Sequence, residues 1–263
     1  MSAAHGRSEA AHTPPGGAER SEGGAHTGAA HGRSEAAHTP PGGAERSEGG
    51  AHTSAAHGRF DDPRATWDAR FAAPGLLFGE QPNAFLQREA HRLEPHSRVL
   101  SVADGEGRNA LYLAERGHDV QAFDLSPVAL AKARDWAARR GLQVDWRESS
   151  VDDWDWAPET FDAVVAVFVQ FADPAMRARM FDGIWRTLRR GGLLLVQGYT
   201  PRQLDYRTGG PGRVEHLYTP QLLRDLLAQA QWLLLREHDD VLAEGSAHAG
   251  RSALIDAIAR KPA

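Results

Sequence analysis

The chain contains no cysteine. That excludes disulfides, thiolate metal sites and a cysteine nucleophile, and it suits a reducing cytoplasm. It also lacks an excess of positive charge: 30 Lys and Arg stand against 35 Asp and Glu, for a formal net charge of −5. The basic footprint of a nucleic-acid binder is missing, so no nucleic-acid partner is expected. No apolar run reaches the roughly 18 residues that a membrane span needs, and no membrane partner is expected either. The N-terminal string MSAAHGRSEAAHTPPGG has no apolar core and does not read as a secretory signal. A soluble cytoplasmic protein is the expectation.

Beyond Met1, the first 58 residues lack large apolar side chains. Residues 3–27 read AAHGRSEAAHTPPGGAERSEGGAHT, and residues 29–53 repeat that string without a change, at a period of 26. A solenoid unit of similar length carries an apolar face that stacks on its neighbour. This unit offers only alanine and cannot offset chain entropy by burial. A disordered tandem-repeat arm over 1–58 is expected, followed by one domain over 59–263. The arm holds seven of the 13 histidines, but their spacings do not suit a closed metal site, and no metal is expected.

From residue 98 the chain alternates between short apolar runs and amphipathic stretches. Strands are expected at 98–103, 119–123, 143–147, 161–169 and 193–198. Helices are expected at 60–73 and 83–93, then at 109–116, 127–140, 174–190 and 219–229. Strand and helix in alternation imply a doubly wound, Rossmann-like α/β sheet, mostly parallel. The end differs: 231–238 and 252–260 are two extended stretches with only a loop between them. They imply an antiparallel pair at the C-terminal edge of a seven-stranded sheet.

The segment VLSVADGEGRNALYLAERGHDVQAFDLS, residues 99–126, is the richest in chemistry. A strand runs into Asp104-Gly105-Glu106-Gly107 and straight on into a helix. Glycines there permit a tight turn and close approach of a ligand. The helix start supplies free N–H groups and a positive dipole end. Asp124 follows Gly105 by 19 residues, the spacing at which an acid can accept both hydroxyls of a ribose. Gly105 to Ala110 also fits the dinucleotide pattern, so a nicotinamide-dependent oxidoreductase is the alternative reading.

DGEGRNALYLAERGHDVQAFDLS resembles motif I and the following acidic strand end of class I S-adenosylmethionine-dependent methyltransferases. The resemblance continues through FDAVVAVFVQF, LRRGGLLLVQGY and SALIDAIARK. Within that class the chain is similar to the tellurite-resistance and thiopurine type enzymes for small molecules, including the cap segment WDARFAAPGLLFGEQPNAFL. There are departures: Ser101 stands where an acid is usual, Ala103 replaces the first glycine of the loop, and Asp104 replaces a common cysteine.

The resemblance implies S-adenosylmethionine as cofactor and a small-molecule acceptor of thiol, metalloid oxyanion or amine type, methylated by in-line displacement. It implies Asp104, Gly105 and Gly107 around the methionine moiety, and Asp124 and Leu125 at the ribose and adenine. Ser150 and Val151 would face adenine, and Gln170 would lie near the sulfonium. Trp67 and Arg70 would close over the amino-acid end. For the acceptor, two loops past the strand ends carry the candidates: Tyr206 and Glu215 in 199–218, and His248 in 244–251. A non-catalytic S-adenosylmethionine-binding module is the remaining alternative. Deleting residues 1–58 is expected to leave the affinity for S-adenosylhomocysteine unchanged in calorimetric titration; a tenfold loss would contradict the reading of the arm.

Overall fold

The computed structural model describes residues 62–263, and the repeats lie outside the described residues. Seven strands form one sheet. They are β1 (Arg98–Val102), β2 (Asp119–Asp124), β3 (Asp145–Glu148), β4 (Phe161–Val167), β5 (Leu188–Tyr199), β6 (Gln231–Glu244) and β7 (His248–Arg260). The order is β3-β2-β1-β4-β5-β7-β6. The first five strands pair in parallel, and β7 runs antiparallel to both β5 and β6.

Four helices begin with the same local device, a side-chain cap followed by proline. They are α1 (Pro63–Phe71) after Asp62, α4 (Pro127–Arg140) after Ser126, α5 (Pro174–Thr187) after Asp173 and α7 (Pro220–Leu226) after Thr219. In each, the cap oxygen accepts an otherwise unpaired N–H of the first turn, and proline occupies a position whose own N–H needs no partner. Three further helices are α2 (Ala84–Glu89), α3 (Arg108–Glu115) and the single turn α6 (Gln203–Tyr206).

Alternate residues of each strand feed opposite faces of the sheet. Leu100, Val102, Val164, Ala166, Leu194 and Val196 meet Phe181 and Ile184 of α5 on one side. Val99, Ala122, Ala163, Val165 and Leu195 meet Phe85 and Leu86 of α2 and Ala110 and Leu113 of α3 on the other. Burial on both faces is what the near-continuous apolar run of β4 requires.

Several expected boundaries move. β4 stops at Val167: the Phe168 N–H still donates to the Gln197 carbonyl at 2.8 Å, but its left-handed φ of 55° turns the chain out of the sheet. Helix α5 ends at Thr187, three residues early, because Leu188 already pairs with Phe161 in the sheet. Helix α7 ends at Leu226 rather than 229. The stretch 199–218 is not structureless: it contains α6 and a 3-10 turn at Val214–His216. The largest shift is at the C-terminus. The loop expected between the last two strands is a hairpin in which β6 and β7 stay paired out to Glu244 and His248. His248 is therefore the first residue of a strand.

A buried ion pair anchors that hairpin. Arg108 Nη2 lies 2.7 Å from Glu244 Oε2, and both side chains are under a tenth exposed. Glu244 also accepts from Asn83 Nδ2 at 3.1 Å and from the Ala84 N–H at 3.0 Å. The tip of β6 is thereby held against the starts of α2 and α3. Removing one partner of such a pair costs about 3–5 kcal/mol, because the other charge stays buried.

Gly107 is required by both space and backbone. Its φ is 96°, and a Cβ there would sit 2.7 Å from Trp146 Cη2 and 2.9 Å from Ala133 Cβ. Gly107→Ala is expected to lower stability by about 2–4 kcal/mol, adding left-handed strain to overpacking. Urea denaturation would show it, and an unchanged midpoint would contradict the packing described.

Candidate active site at the carboxyl edge of the sheet

The glycine bend follows β1. Ala103, with a φ of 49°, and Gly105, with a φ of 62°, both turn through the left-handed region. Ala103 thus does the conformational work that glycine would do more easily. The Gly105 N–H donates to Asp124 Oδ2 at 2.8 Å, and the Ser126 N–H donates to Oδ1 at 2.9 Å. Asp124 is buried, and burial pushes its carboxyl above the ordinary carboxylate range. Each oxygen keeps a lone pair beyond these two bonds. The acid at the end of β2 therefore points at the bend.

Asp104 replaces the carboxylate that Ser101 lacks. Its Oδ1 accepts from the Ser101 hydroxyl at 2.5 Å, and its Oδ2 accepts from the Ala110 N–H at 3.3 Å. Burial pushes its carboxyl up to about 7, against the pull of these bonds and of Arg108. A carboxylate with that cost of ionisation is stabilised by any cation placed beside it.

Glu106, between the two glycines, is an anchor that the sequence pattern did not reveal. It is buried, accepts from the Leu77 N–H at 2.7 Å and pairs with Lys132 Nζ at 2.9 Å. The same ammonium donates to the carbonyls of Ala73 and Gly75. The segment after α1 is thus fastened to the bend. Helix α1 itself lies across the same edge. Arg64 pairs with Glu148 at the end of β3, the Ser126 hydroxyl donates to Asp68, and the Phe71 ring packs against Gly105. Trp67 stacks on Phe71 with centroids 5.5 Å apart, and the Arg70 guanidinium lies 4.5 Å from the Trp67 ring centre. Arg70 has no acidic partner among the described residues.

Ser150 and Val151 follow β3 on the same edge. The Ser150 hydroxyl closes a turn with Asp153, and Val151 is buried with its carbonyl accepting from the Trp156 indole. Leu125 is half-buried beside Asp124. Trp154 stacks on Phe123 at 4.4 Å and packs over the sheet.

Gln170 follows β4 and is tied to the chain beyond β5. Its amide donates to the carbonyls of Tyr199 and His216 and accepts from the Tyr199 N–H. Both side-chain polar atoms are engaged in joining β5 to the 3-10 turn. Two acceptor-side candidates also fall elsewhere. The Tyr206 hydroxyl sits between Arg202 and Asp239, at 2.7 Å from each, on the outer side of β6. Glu215 is exposed, and only its carbonyl is engaged, by Arg177 at 2.6 Å.

His248 is brought inward by the hairpin. It packs against Phe78, Phe168 and Tyr199, and its Nδ1 lies 3.0 Å from the Tyr199 hydroxyl. Burial, with the charges of Arg108 and Arg70 nearby, pushes the imidazole down to about 3, so the ring is neutral at physiological pH. Burial holds the Tyr199 hydroxyl well above the ordinary phenol range.

The methyltransferase-domain family matches residues 99–192, which hold the bend, Asp124, nearly all of β1, strands β2 to β4 and the first residues of β5. Over these residues the chain matches a methyltransferase domain. S-adenosylmethionine is the cofactor of such methyltransferases, and the groups present are of the kinds it calls for: two buried carboxyls and a guanidinium with no acidic partner among the described residues. Demethylmenaquinone methyltransferase of Thermus thermophilus is 36% identical over 106 residues, covering 40% of this chain and 48% of the relative. An uncharacterised protein of Mycobacterium tuberculosis is 37% identical over 105 residues, covering 40% of this chain. That match spans only 38% of the mycobacterial protein's length. Among solved structures, TehB from Haemophilus influenzae shares the fold, with a TM-score of 0.56 at 16% identity. The similarity covers 75% of this chain and 66% of that one.

The raised carboxyl of Asp104 has a consequence for the methyltransferase domain. A folded-state value near 7 against 3.8 unfolded means that the folded form binds the proton more tightly. Stability without added cofactor should therefore fall as pH rises from about 4 to about 7. Asp104→Asn is expected to remove that component and to melt higher than the parent at pH 8. Melting curves from pH 4 to 8 test this; parallel profiles for both proteins would contradict it.

Proposed function

We propose that the protein transfers a methyl group from S-adenosylmethionine to a small-molecule acceptor. One observation carries the reading: the buried Asp124 carboxylate is bonded to the glycine bend at the carboxyl edge of a parallel sheet. There it can accept ribose hydroxyls while the bend and the start of α3 lie beside the rest of the nucleoside. When bound, the sulfonium supplies an electrophilic methyl group. The chain's task is then to bind, orient and exclude water. Asp124 would hold the ribose, Asp104 the ammonium and Arg70 the carboxylate of the amino-acid end. Leu125, Ser150 and Val151 would border the adenine, and Trp67 and Phe71 of α1 would cover the site.

The acceptor is read as small because α1, the segment after it and the hairpin tip crowd the same edge. The net charge of −5 gives no support to a polyanionic partner. No helix among the described residues is long and apolar enough to cross a membrane. Action in the cytoplasm suits the absence of cysteine. The domain is taken to span 59–263, and the repeats of 1–58 lie outside the described residues.

Calorimetric titration with S-adenosylhomocysteine tests the proposal. The protein should bind it and not NADH. Asp124→Asn should weaken binding by at least about tenfold, the equivalent of one charge-assisted hydrogen bond. Equal affinity in parent and variant would remove the observation on which the proposal rests.

A further inference from the structure

Six rings form a continuous band along the carboxyl edge. It begins at the bend, where Phe71 packs on Gly105 with Trp67 stacked behind it. It continues to Phe78, 6.1 Å from Phe71, then to His248, 4.7 Å from Phe78. It ends on Phe168, 4.2 Å from His248, and on Tyr199, 4.8 Å from Phe168, at the ends of β4 and β5. Trp67, Phe78 and Phe168 are only half-buried, so they keep open ring surface. Phe168 is held there in a left-handed conformation unfavourable for a residue with a Cβ.

The band has little polar content. Tyr199 and His248 satisfy each other through the hydroxyl and Nδ1, and His248 Nε2 has no hydrogen-bond partner among the described residues. Three classes of acceptor can be weighed against this chemistry. A metalloid oxyanion needs several donors for its oxygens, and ring faces repel it. An ammonium suits ring faces, but it needs a counter-charge once stripped of water, and Glu244, the carboxylate whose charge reaches Tyr199, is already paired with Arg108. An uncharged flat ring with one polar atom meets neither penalty. It gains offset or edge-to-face contacts, and one hydrogen bond completes His248.

We infer that the band is the acceptor subsite of the methyl transfer proposed above, and that it takes an uncharged hydroxylated aromatic molecule. The ring lies along Phe78 and Phe168, and its hydroxyl donates to Nε2 of His248 while Nδ1–H donates to the Tyr199 oxygen; as the methyl carbon leaves the sulfonium and bonds to the hydroxyl oxygen, the hydroxyl proton passes by way of Nε2 to water. The inference depends on the proposed methyl-transfer function. Glu244 serves it indirectly: through its ion pair with Arg108 it holds the hairpin tip that carries His248.

The test is calorimetric titration of the full chain with 1-naphthol, with saturating S-adenosylhomocysteine, against cyclohexanol, butylamine and tellurite. Naphthol should bind at least tenfold more tightly than the other three. His248→Phe, which keeps a ring in place, should cost about tenfold in naphthol affinity, and Phe168→Leu about threefold or more. Neither should change the affinity for S-adenosylhomocysteine by more than threefold, which also shows that the variants fold. If S-adenosylhomocysteine binds but naphthol is no better than cyclohexanol, or tellurite or butylamine binds more tightly, the inference fails and the proposed function stands. Unaltered naphthol binding in His248→Phe also overturns it. If neither S-adenosylhomocysteine nor naphthol binds, both fail.

Discussion

The hydrogen bond from the Gly105 N–H to the Asp124 carboxylate joins the ends of β1 and β2 into one surface. A buried carboxylate must be bonded or it cannot remain charged, and this one is bonded by two backbone N–H groups, from Gly105 and Ser126. The bond also sets the bend: with Gly105 tethered, the chain must pass through left-handed residues at 103, 105 and 107 before α3 can start. The acid, the bend and the helix start are therefore one unit. Its burial is maintained by Phe71 from above and by Glu106, whose partners fasten the segment after α1 to the same loop.

A second constraint acts across the sheet. The Arg108–Glu244 pair connects the first residue of the cofactor-side helix to the far hairpin, and Asn83 extends the connection to Gln197 of β5 at 2.6 Å. Asp256, fully buried on β7, accepts from Gln197 and pairs with Arg88 and Arg236. These polar links cross the apolar packing at fixed points. Neighbouring apolar side chains can slide against one another at little cost, whereas a buried ion pair tolerates little displacement. The hairpin tip, and His248 with it, is thereby held over the same edge as the bend.

The two halves of the site differ in chemistry. Around Asp104 and Asp124 the groups are carboxyls bonded to backbone, which suits a ligand with hydroxyl and ammonium groups. Around His248 they are aromatic and neutral. The boundary between them is Phe71, which touches Gly105 on one side and Phe78 on the other.

Much of the fold was legible in the sequence because its signals are local. Proline after a capping side chain marks helix starts at 63, 127, 174 and 220 wherever the chain runs in space. An apolar run such as that of β4 demands cover on both faces, and two glycines before a helix, with an acid 19 residues later, encode the bend within one βαβ unit. What the sequence alone could not determine depends on partners far apart in the chain. Gln170 looks like a free polar residue at a strand end until Tyr199 and His216 fold against it. Tyr206 looks available until Asp239 claims it, and Glu106 looks like a loop acid until Leu77 and Lys132 arrive. His248 reads as a loop residue because hairpin pairing past residue 238 is stabilised by contacts with α2 and α3, not by local propensity. The nucleoside side of the site was thus written in short-range pattern, while the acceptor side was decided by tertiary contacts that close over long sequence separations.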